Sequence, residues 1–435
     1  MKEIPFDIIC LILQLSSNNC STIHSLSLTN RAISTEATKV LYKASPIIDF
    51  QNGSAGTQFM ETVCRNNHLS KLVQSIQLLF GGERPASIDL LSTLFQKTTE
   101  LTSLHIIHET MPWMYHDQDS TYITNIPWDL PVPSCSFRLK RLEWSTYASV
   151  GSITLMCQLL VLHRTSLEHV GILLKKQLRI EELNDEEVST FITNFRPLSE
   201  VSDNSQSGSI SLIMSNTPPW PIPSVRSFRG TKNVFQAIYP VLDNGSLQNL
   251  EIFTPPPYIA PALPTPSWQT CLTRHMKRVS IQSLRLDFIW CRDFDFHEYT
   301  PYLSSLKTLH LHKLEFNLSR EDIASTFGPL RSLQYLRISR NSINPDFDGL
   351  QDDHGDFVRP AFDTLMSTNI RLFIPSIFTT CPSLRQAEFT IEFLPDIDST
   401  VYYRRWMRND SVVPLLEGQS PTAMGLVYES GKTME

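Results

Sequence analysis

The stretch from Ser305 to Ile338 reads SLKTLHLHKLEFNLSREDIASTFGPLRSLQYLRI and holds one phrase twice. An apolar residue, two variable ones, an apolar, one variable and an apolar occur as Leu306, Leu309 and Leu311, and again as Leu333, Leu336 and Ile338. Between the two copies, Ile323 to Leu330 is an apolar stretch that suits a helix. Ser305 and Ser332 stand directly before the opening leucines. The unit is helix, turn, Ser-Leu, strand.

Outward from this stretch the phrase recurs. It begins at Val73 (Ile76, Leu78), Leu101 (Leu104, Ile106), Leu139 (Leu142, Trp144), Leu167 (Val170, Ile172), Leu247 (Leu250, Ile252), Ile281 (Leu284, Leu286) and Leu384 (Ala387, Phe389), with a weaker copy at Val225 and Phe228. In a chain that is 41% hydrophobic, three chosen positions are all apolar about one time in fourteen, so the phrase alone proves little. Spacing and context lift it. From start to start the steps run 28, 38, 28, 58, 22, 34, 25, 27 and 51, and the two longest are expected to hold two units each, one of them unrecognised. Ser166, Ser246 and Ser383 repeat the Ser-Leu opening, after stretches such as Leu155 to Leu162, Val234 to Leu242 and Ile374 to Thr380.

This span resembles the irregular leucine-rich repeats that commonly follow an F-box in fungal proteins. The resemblance implies an α/β solenoid with parallel strands on a concave face and helices on a convex face, because each unit buries its apolar side only against the next. The family's strand-ending Asn is matched only at Asn341, so the turns after the strands are expected to be irregular. The solenoid is expected over 49–408, with loops at 199–224 (Ser, Asn and Pro rich), 254–268 (six prolines) and 343–360 (acidic). The tail 409–435 shows little periodicity and is expected to be poorly ordered.

At the amino terminus, residues 1–48 read differently. Ile4, Ile8, Leu11, Ile12 and Leu15 fall three and four apart and would share one stripe of a helix starting near Pro5, a residue well suited to a first helical turn. Two more short helices are expected over Thr22–Thr29 and Ser34–Tyr42. Three helices in about forty residues bury too little apolar surface to be self-sufficient, so a docked partner is the natural remedy. Ile4, Pro5, Phe6, Asp7 and Ile8, then Leu26 to Arg31 and Leu41-Tyr42, resemble the F-box, by which proteins bind the Skp adaptor of cullin-based ubiquitin ligases. Ile4 stands where Leu is commoner, and the loop Ser16 to Ser21 is polar. A secretory signal peptide with Lys2 in front of IICLILQL is the competing reading; Glu3 and Asp7 sit where it should be basic or uncharged, and no small-x-small site follows.

Composition narrows the classes. A chain of 435 residues with a net charge of -7 lacks the basic excess expected of a nucleic-acid binder, and no apolar run approaches a membrane span. Eight scattered cysteines contain no CxxC, which leaves free, mostly buried thiols in a reducing compartment, cytoplasmic or nuclear, as the default. Five NxS triplets, at Asn19, Asn52, Asn244, Asn317 and Asn409, carry no weight without a signal peptide.

Chemistry-bearing clusters are few. Asn344, Asp346, Asp348 and Gly349 begin like a calcium loop, but its twelfth position is Gly355 instead of a bidentate Glu, and a self-solvating turn explains the fragment. His105 with His108, and His310 with His312, lack a third ligand nearby in sequence. The acidic run Glu181, Glu182, Asp185, Glu186 and Glu187 precedes a helix expected over Val188–Phe195, where the helix dipole favours it; steering of a basic partner is the alternative. GxSxG, Walker, GxGxxG and HExxH motifs are absent, so neither a catalytic residue, a metal nor a cofactor is proposed.

The resemblance therefore implies a non-catalytic substrate-recognition subunit of a ubiquitin ligase. Ile4, Pro5, Ile8, Ile12, Leu15 and Leu26 would dock on a Skp-type adaptor and through it a cullin, while the repeats hold an unidentified target protein. Expected target-facing residues are the variable strand positions Glu143, His169, Glu251, Arg285, His310, Tyr335, Arg337 and Glu388. A protein-interaction scaffold outside any ligase, its first helices only a cap, is the main competitor. An enzyme with unrecognised motifs is a third class.

Overall fold

The computed structural model describes residues 6–15, 19–50, 54–80, 88–108, 136–147, 156, 158–175, 222–242, 245–253, 268–287, 298–312, 320–341, 374–393, 400–408 and 426–434. The chain forms two compact units, Met1–Arg226 with Ala237–Asn244, and Ser227–Gln236 with Gly245–Glu435. In both, parallel strands stand in chain order with helices between them. This is the solenoid-like α/β arrangement the repeated phrase predicts.

The first unit opens with α1 (Phe6–Leu15), α2 (Cys20–Ser27) and α3 (Arg31–Lys43). Asn19 and Asn30 cap α2 and α3, their side-chain oxygens accepting the amides of Thr22 and Ile33 at 3.0 Å each. Leu13, Ile23 and Ala37 form a small buried core with Ile9, Leu26, Ile33, Val40 and Leu41 packed around it. Helix α3 runs directly into β1 (Ala44–Asp49), a strand that falls largely inside the segment the sequence reading gave to the three-helix domain. Pro46 hid it: proline removes a ladder donor and sits in strands only at edges or bulges. Here it lies within a register slip between Ala44 and Ile47, where β1 pairs with β2 (Ser75–Phe80). Helix α4 (Ser54–Arg65) crosses β1 so closely that a Cβ on Gly56 would stand 2.7 Å from the Ile48 Cα, which reserves that position for glycine. Beyond α5 (Asn67–Ser70), β2 and α6 (Ile88–Lys97) come β3 (Ser103–His108), β4 (Arg141–Tyr147), a helical run at 158–162 and β5 (His169–Lys175). Each of these strands pairs in parallel with the one before it.

The second unit's sheet comprises β6 (Ser227–Thr231), β7 (Asn249–Phe253), β8 (Ser283–Asp287), β9 (Thr308–His312), β10 (Tyr335–Asn341) and β11 (Gln386–Phe393), again parallel. Helix α7 (Lys232–Leu242) divides between the units; α8 (Trp268–Arg278), α9 (Arg320–Phe327) and a helical run at 374–380 belong to the second. Two antiparallel strands, β12 (Thr400–Arg408) and β13 (Leu426–Met434), complete it. The periodicity ends at 408 and predicts a poorly ordered tail beyond it, whereas β13 lies within that tail. Trp406 packs edge-on against Phe389 at 5.6 Å, and the Arg408 guanidinium donates to the carbonyls of Leu384 and Phe378 at 3.1 and 3.0 Å. These contacts close the last repeat where no further phrase follows.

Every residue of the nine complete phrases, and Val225 and Phe228 of the weak one, is at most 3% exposed. Each such side chain contributes ~1.5–3 kcal/mol when fully buried, so the phrases dominate the fold's stability. A backbone spine joins the repeats at the residue before each strand. Its carbonyl accepts two amides of the next repeat, as Lys140 does from Glu168 and His169, and Lys307 from Gln334 and Tyr335, at 2.8 to 3.0 Å. The Ser-Leu opening has a matching role: Ser166 Oγ donates to the Leu139 carbonyl at 2.8 Å and Ser305 Oγ to that of Ile281 at 3.1 Å, while a ring nitrogen of His275 meets the Leu247 carbonyl at 2.8 Å. The phrase-opening carbonyl of one repeat is thus satisfied by a side chain of the next.

The spine also corrects the two long steps. Arg226 N–H donates to the Glu168 carbonyl at 2.8 Å, and β10 pairs directly with β11 over Tyr335–Asn341 and Gln386–Glu392. Among the described residues no strand intervenes in either place. The steps of 58 and 51 each span one rung of the ladder instead of two, because a strand ladder cannot skip a rung and keep its hydrogen bonds.

Several expectations lie outside the described residues: Ile4 and Pro5, the fragment Asn344–Gly349, the acidic run 181–187 with its helix, and most of the three loops. Among the described cysteines, Cys64, Cys271 and Cys381 are buried free thiols, as the spacing predicted. Burial pushes the Cys381 thiol up to about 12.

Candidate functional site

In a strand, residues alternate between faces, so the positions between phrase residues form rows on the sheet face opposite the core. In the second unit the central row runs Arg229, Glu251, Arg285, His310, Arg337, Glu388, Arg405, each the register partner of the next. Five of the eight expected target-facing residues therefore come together: Glu251, Arg285, His310, Arg337 and Glu388. Tyr335 stands two residues before Arg337 in the adjoining row and is 43% exposed.

Each glutamate of this row lies between two arginines, four cations to two anions. Glu251 lies between Arg285, at 2.8 Å, and Arg229, at 3.5 Å; Glu388 lies between Arg405, at 2.6 Å, and Arg337, at 3.5 Å. Arg405 holds Glu388 best, donating from Nε as well at 2.8 Å. The Arg285–Glu251 contact is short but poorly aligned for a hydrogen bond, an ion pair by distance alone. Both guanidiniums about Glu251, those of Arg229 and Arg285, also lie 5.4 Å from the Phe253 ring centroid, one on each neighbouring strand.

His310 departs from the expected role of a surface contact. It lies on the anticipated face but is only 8% exposed, its Nε2 paired with Ser339 Oγ at 2.7 Å, and Ser339 in turn with Thr390 Oγ1 at 2.6 Å. Seated between Arg285 and Arg337, it is tied by this bond to the neighbouring strand.

In the first unit the corresponding row runs Ile47, Gln77, His105, Glu143, Gly171. Arg141, on the same strand, donates from Nε to Glu143 at 2.9 Å, and His105 Nε2 lies 3.8 Å from its other oxygen. Gly171 leaves the space this carboxylate occupies: a Cβ there would meet Glu143 Cγ at 3.1 Å. His169 is exposed in the adjoining row, in register with Arg141. The two remaining target-facing candidates thus belong to a different unit from the other six.

A second surface lies on the amino-terminal helices. Ile8, Leu11, Ile12 and Leu15 of α1 are 47, 51, 42 and 77% exposed, and Leu28 beyond α2 is 75% exposed. Leu26, expected on the same docking surface, instead packs partly against the three-helix core. It cannot serve both fully, because a side chain committed to the internal contact offers only its remaining edge.

Sequence reasoning missed Arg229 and Arg405. Arg229 sits in the weakest phrase, and Arg405 lies on an antiparallel strand that carries no phrase at all. Their signal was chemical complementarity with Glu251 and Glu388, visible only once register is known. Among the described residues no group of three His, Cys, Asp or Glu side chains is placed to hold a metal ion, and no helix is long and apolar enough to cross a membrane.

No family model and no curated protein matches the chain. Among solved structures it is similar to the leucine-rich repeat-containing protein LegL7 from Legionella pneumophila, with 12% identity over 83% of this chain and 96% of that one, at a TM-score of 0.37.

Proposed function

We propose that this chain is a non-catalytic adaptor whose amino-terminal helices dock on a Skp-type protein, and through it a cullin, while its strand repeats hold a target protein for ubiquitination. One observation carries the reading. Helix α1 turns Leu13 into the small core yet leaves Ile8, Leu11, Ile12 and Leu15 exposed, an apolar stripe that a free surface helix of a self-sufficient domain would not keep. Because three of the four are already about half buried, covering them on a partner is worth roughly half the ~1.5–3 kcal/mol of a full burial for each, before the costs of association. The mechanism is proximity, raising the local concentration of target lysines at a catalytic centre on another subunit.

Co-purification of the full chain with a Skp-type adaptor tests this, with Ile8→Ser and Leu15→Ser expected to abolish it. Retention of the adaptor by both variants, or its absence from the wild-type chain, would sink the ligase role. A second reading has its own support. Helix α3 passes into β1 without a break, and the Gln74 amide donates to the Lys43 carbonyl at 2.8 Å, as expected if the helices cap a scaffold's repeat stack.

A further inference from the structure

On the open sheet face every arginine of the central row lies against a glutamate; at the edge where the second unit's strands begin, the cations have almost no acid beside them. There the spine residues run Gln248, Gln282, Lys307, Gln334, Arg385, Arg408, joined in sequence by backbone hydrogen bonds of 2.7 to 2.9 Å. Arg408 turns inward to the carbonyls described above. Lys307 and Arg385 are exposed, as is Arg331 on the turn leading to Gln334, and none of these three has an ion-pair partner among the described residues. The described turns of this edge, 245–248, 279–282, 298–307, 328–334 and 381–385, contain a single acidic residue, Glu298.

Helix ends do not account for these cations. Lys277 and Arg278 occupy the last turn of α8, where the helix dipole favours them, but Lys307 and Arg385 directly precede strands. Adjacent strands lie ~4.8 Å apart, so Lys307 and Arg385, two strands apart, are about 10 Å from each other. Tyr302, under the Lys277 ammonium at 5.2 Å, and Tyr335, just past the spine, are exposed beside them. The net charge of -7 hides this edge, because its basic residues are separated by whole repeats in the sequence.

We infer that this edge binds an acidic polypeptide segment, the arginine and lysine taking its carboxylates. The glutamines suit a peptide: an amide side chain offers both a donor and an acceptor, matching a peptide's C=O and N–H. Gln282 already pairs amide to amide with Gln248 at 3.2 Å. The inference rests on the adaptor reading only in taking a protein as cargo; it moves the contact from the sheet face to the sheet edge and gives the cargo a charge.

The test uses the full chain and a short fluorescein-labelled peptide alternating Glu and Ser, followed by anisotropy. Binding that weakens as salt rises is expected, and Lys307→Glu with Arg385→Glu should weaken it on the order of tenfold, with Lys307→Gln and Arg385→Gln giving a smaller loss in the same direction. Lys39→Glu with Arg65→Glu, the same charge change on exposed helical sites of the first unit, should leave affinity within about twofold. The inference is overturned by equal weakening from both double reversals, by no binding of the acidic peptide, or by tighter binding of a labelled single-stranded oligonucleotide. Unchanged thermal melting and adaptor co-purification of the edge variants separate a lost site from a lost fold. Loss of the adaptor interaction with the peptide retained would count against the ligase reading alone.

Discussion

The two units bury the same phrase and expose different chemistry. On the first unit's open face a carboxylate, Glu143, is held chiefly by an arginine of its own strand, and the adjoining row runs Asp49, Leu79, Ile107, Ser145, Leu173. On the second, two glutamates are each gripped by arginines from both neighbouring strands. The difference teaches that inward positions are interchangeable between repeats while outward ones are not. In the second unit they also tie strands together.

The largest effect is expected where the units are alike. Leu309→Asp removes a buried leucine and leaves a carboxylate in the core, which should abolish cooperative melting of the second unit by circular dichroism; a wild-type melt would mean Leu309 does not face inward.

Next comes a property of the first unit. His163 is buried, its ring stacked on Phe137 at 5.5 Å with Nδ1 accepting the Leu139 amide at 3.4 Å, and burial lowers its pKa from 6.5 to about 4. The unfolded chain therefore takes up the proton first. Stability is intact above about pH 6.5 and falls by up to ~3 kcal/mol as the pH drops to about 4. Urea midpoints across that window should fall less in His163→Gln, which keeps an acceptor for Leu139; equal falls would exclude His163 as the cause.

Smaller still is the contrast between carboxylates. Glu388→Ala leaves Arg337 and Arg405 facing each other and should cost about 1–2 kcal/mol, against about 0.5 kcal/mol for Glu143→Ala. Equal costs in denaturant titrations would erase the distinction between the faces. The least effect on stability, within about 0.5 kcal/mol, is expected for Leu15→Ser, because that side chain touches little of its own fold. A large loss of stability there would place α1 inside the fold after all.

Much of the fold was legible in the chain because a buried strand position tolerates only apolar residues, and that constraint repeats. The strands lacking the phrase were not legible. Ala44–Asp49 carries a proline, and Thr400–Arg408 and Leu426–Met434 pair antiparallel, so neither shows the inward pattern of a repeat. Of the candidate site, variable positions such as Glu251 and Glu388 could be picked out, but not their arginine partners, and His310 was placed on the right face without its burial being foreseen.

The sequence by itself determined which side chains go inward and in what order the strands stand, since apolar burial depends on residue type and local period. Only the tertiary structure decided which outward residues meet. Register brings Arg229 beside Glu251 and Arg405 beside Glu388, and it lines up Lys307 and Arg385 on one edge from distant points in the chain. Electrostatic compensation depends on distances of a few ångströms across strands, a quantity that spacing along the chain does not contain.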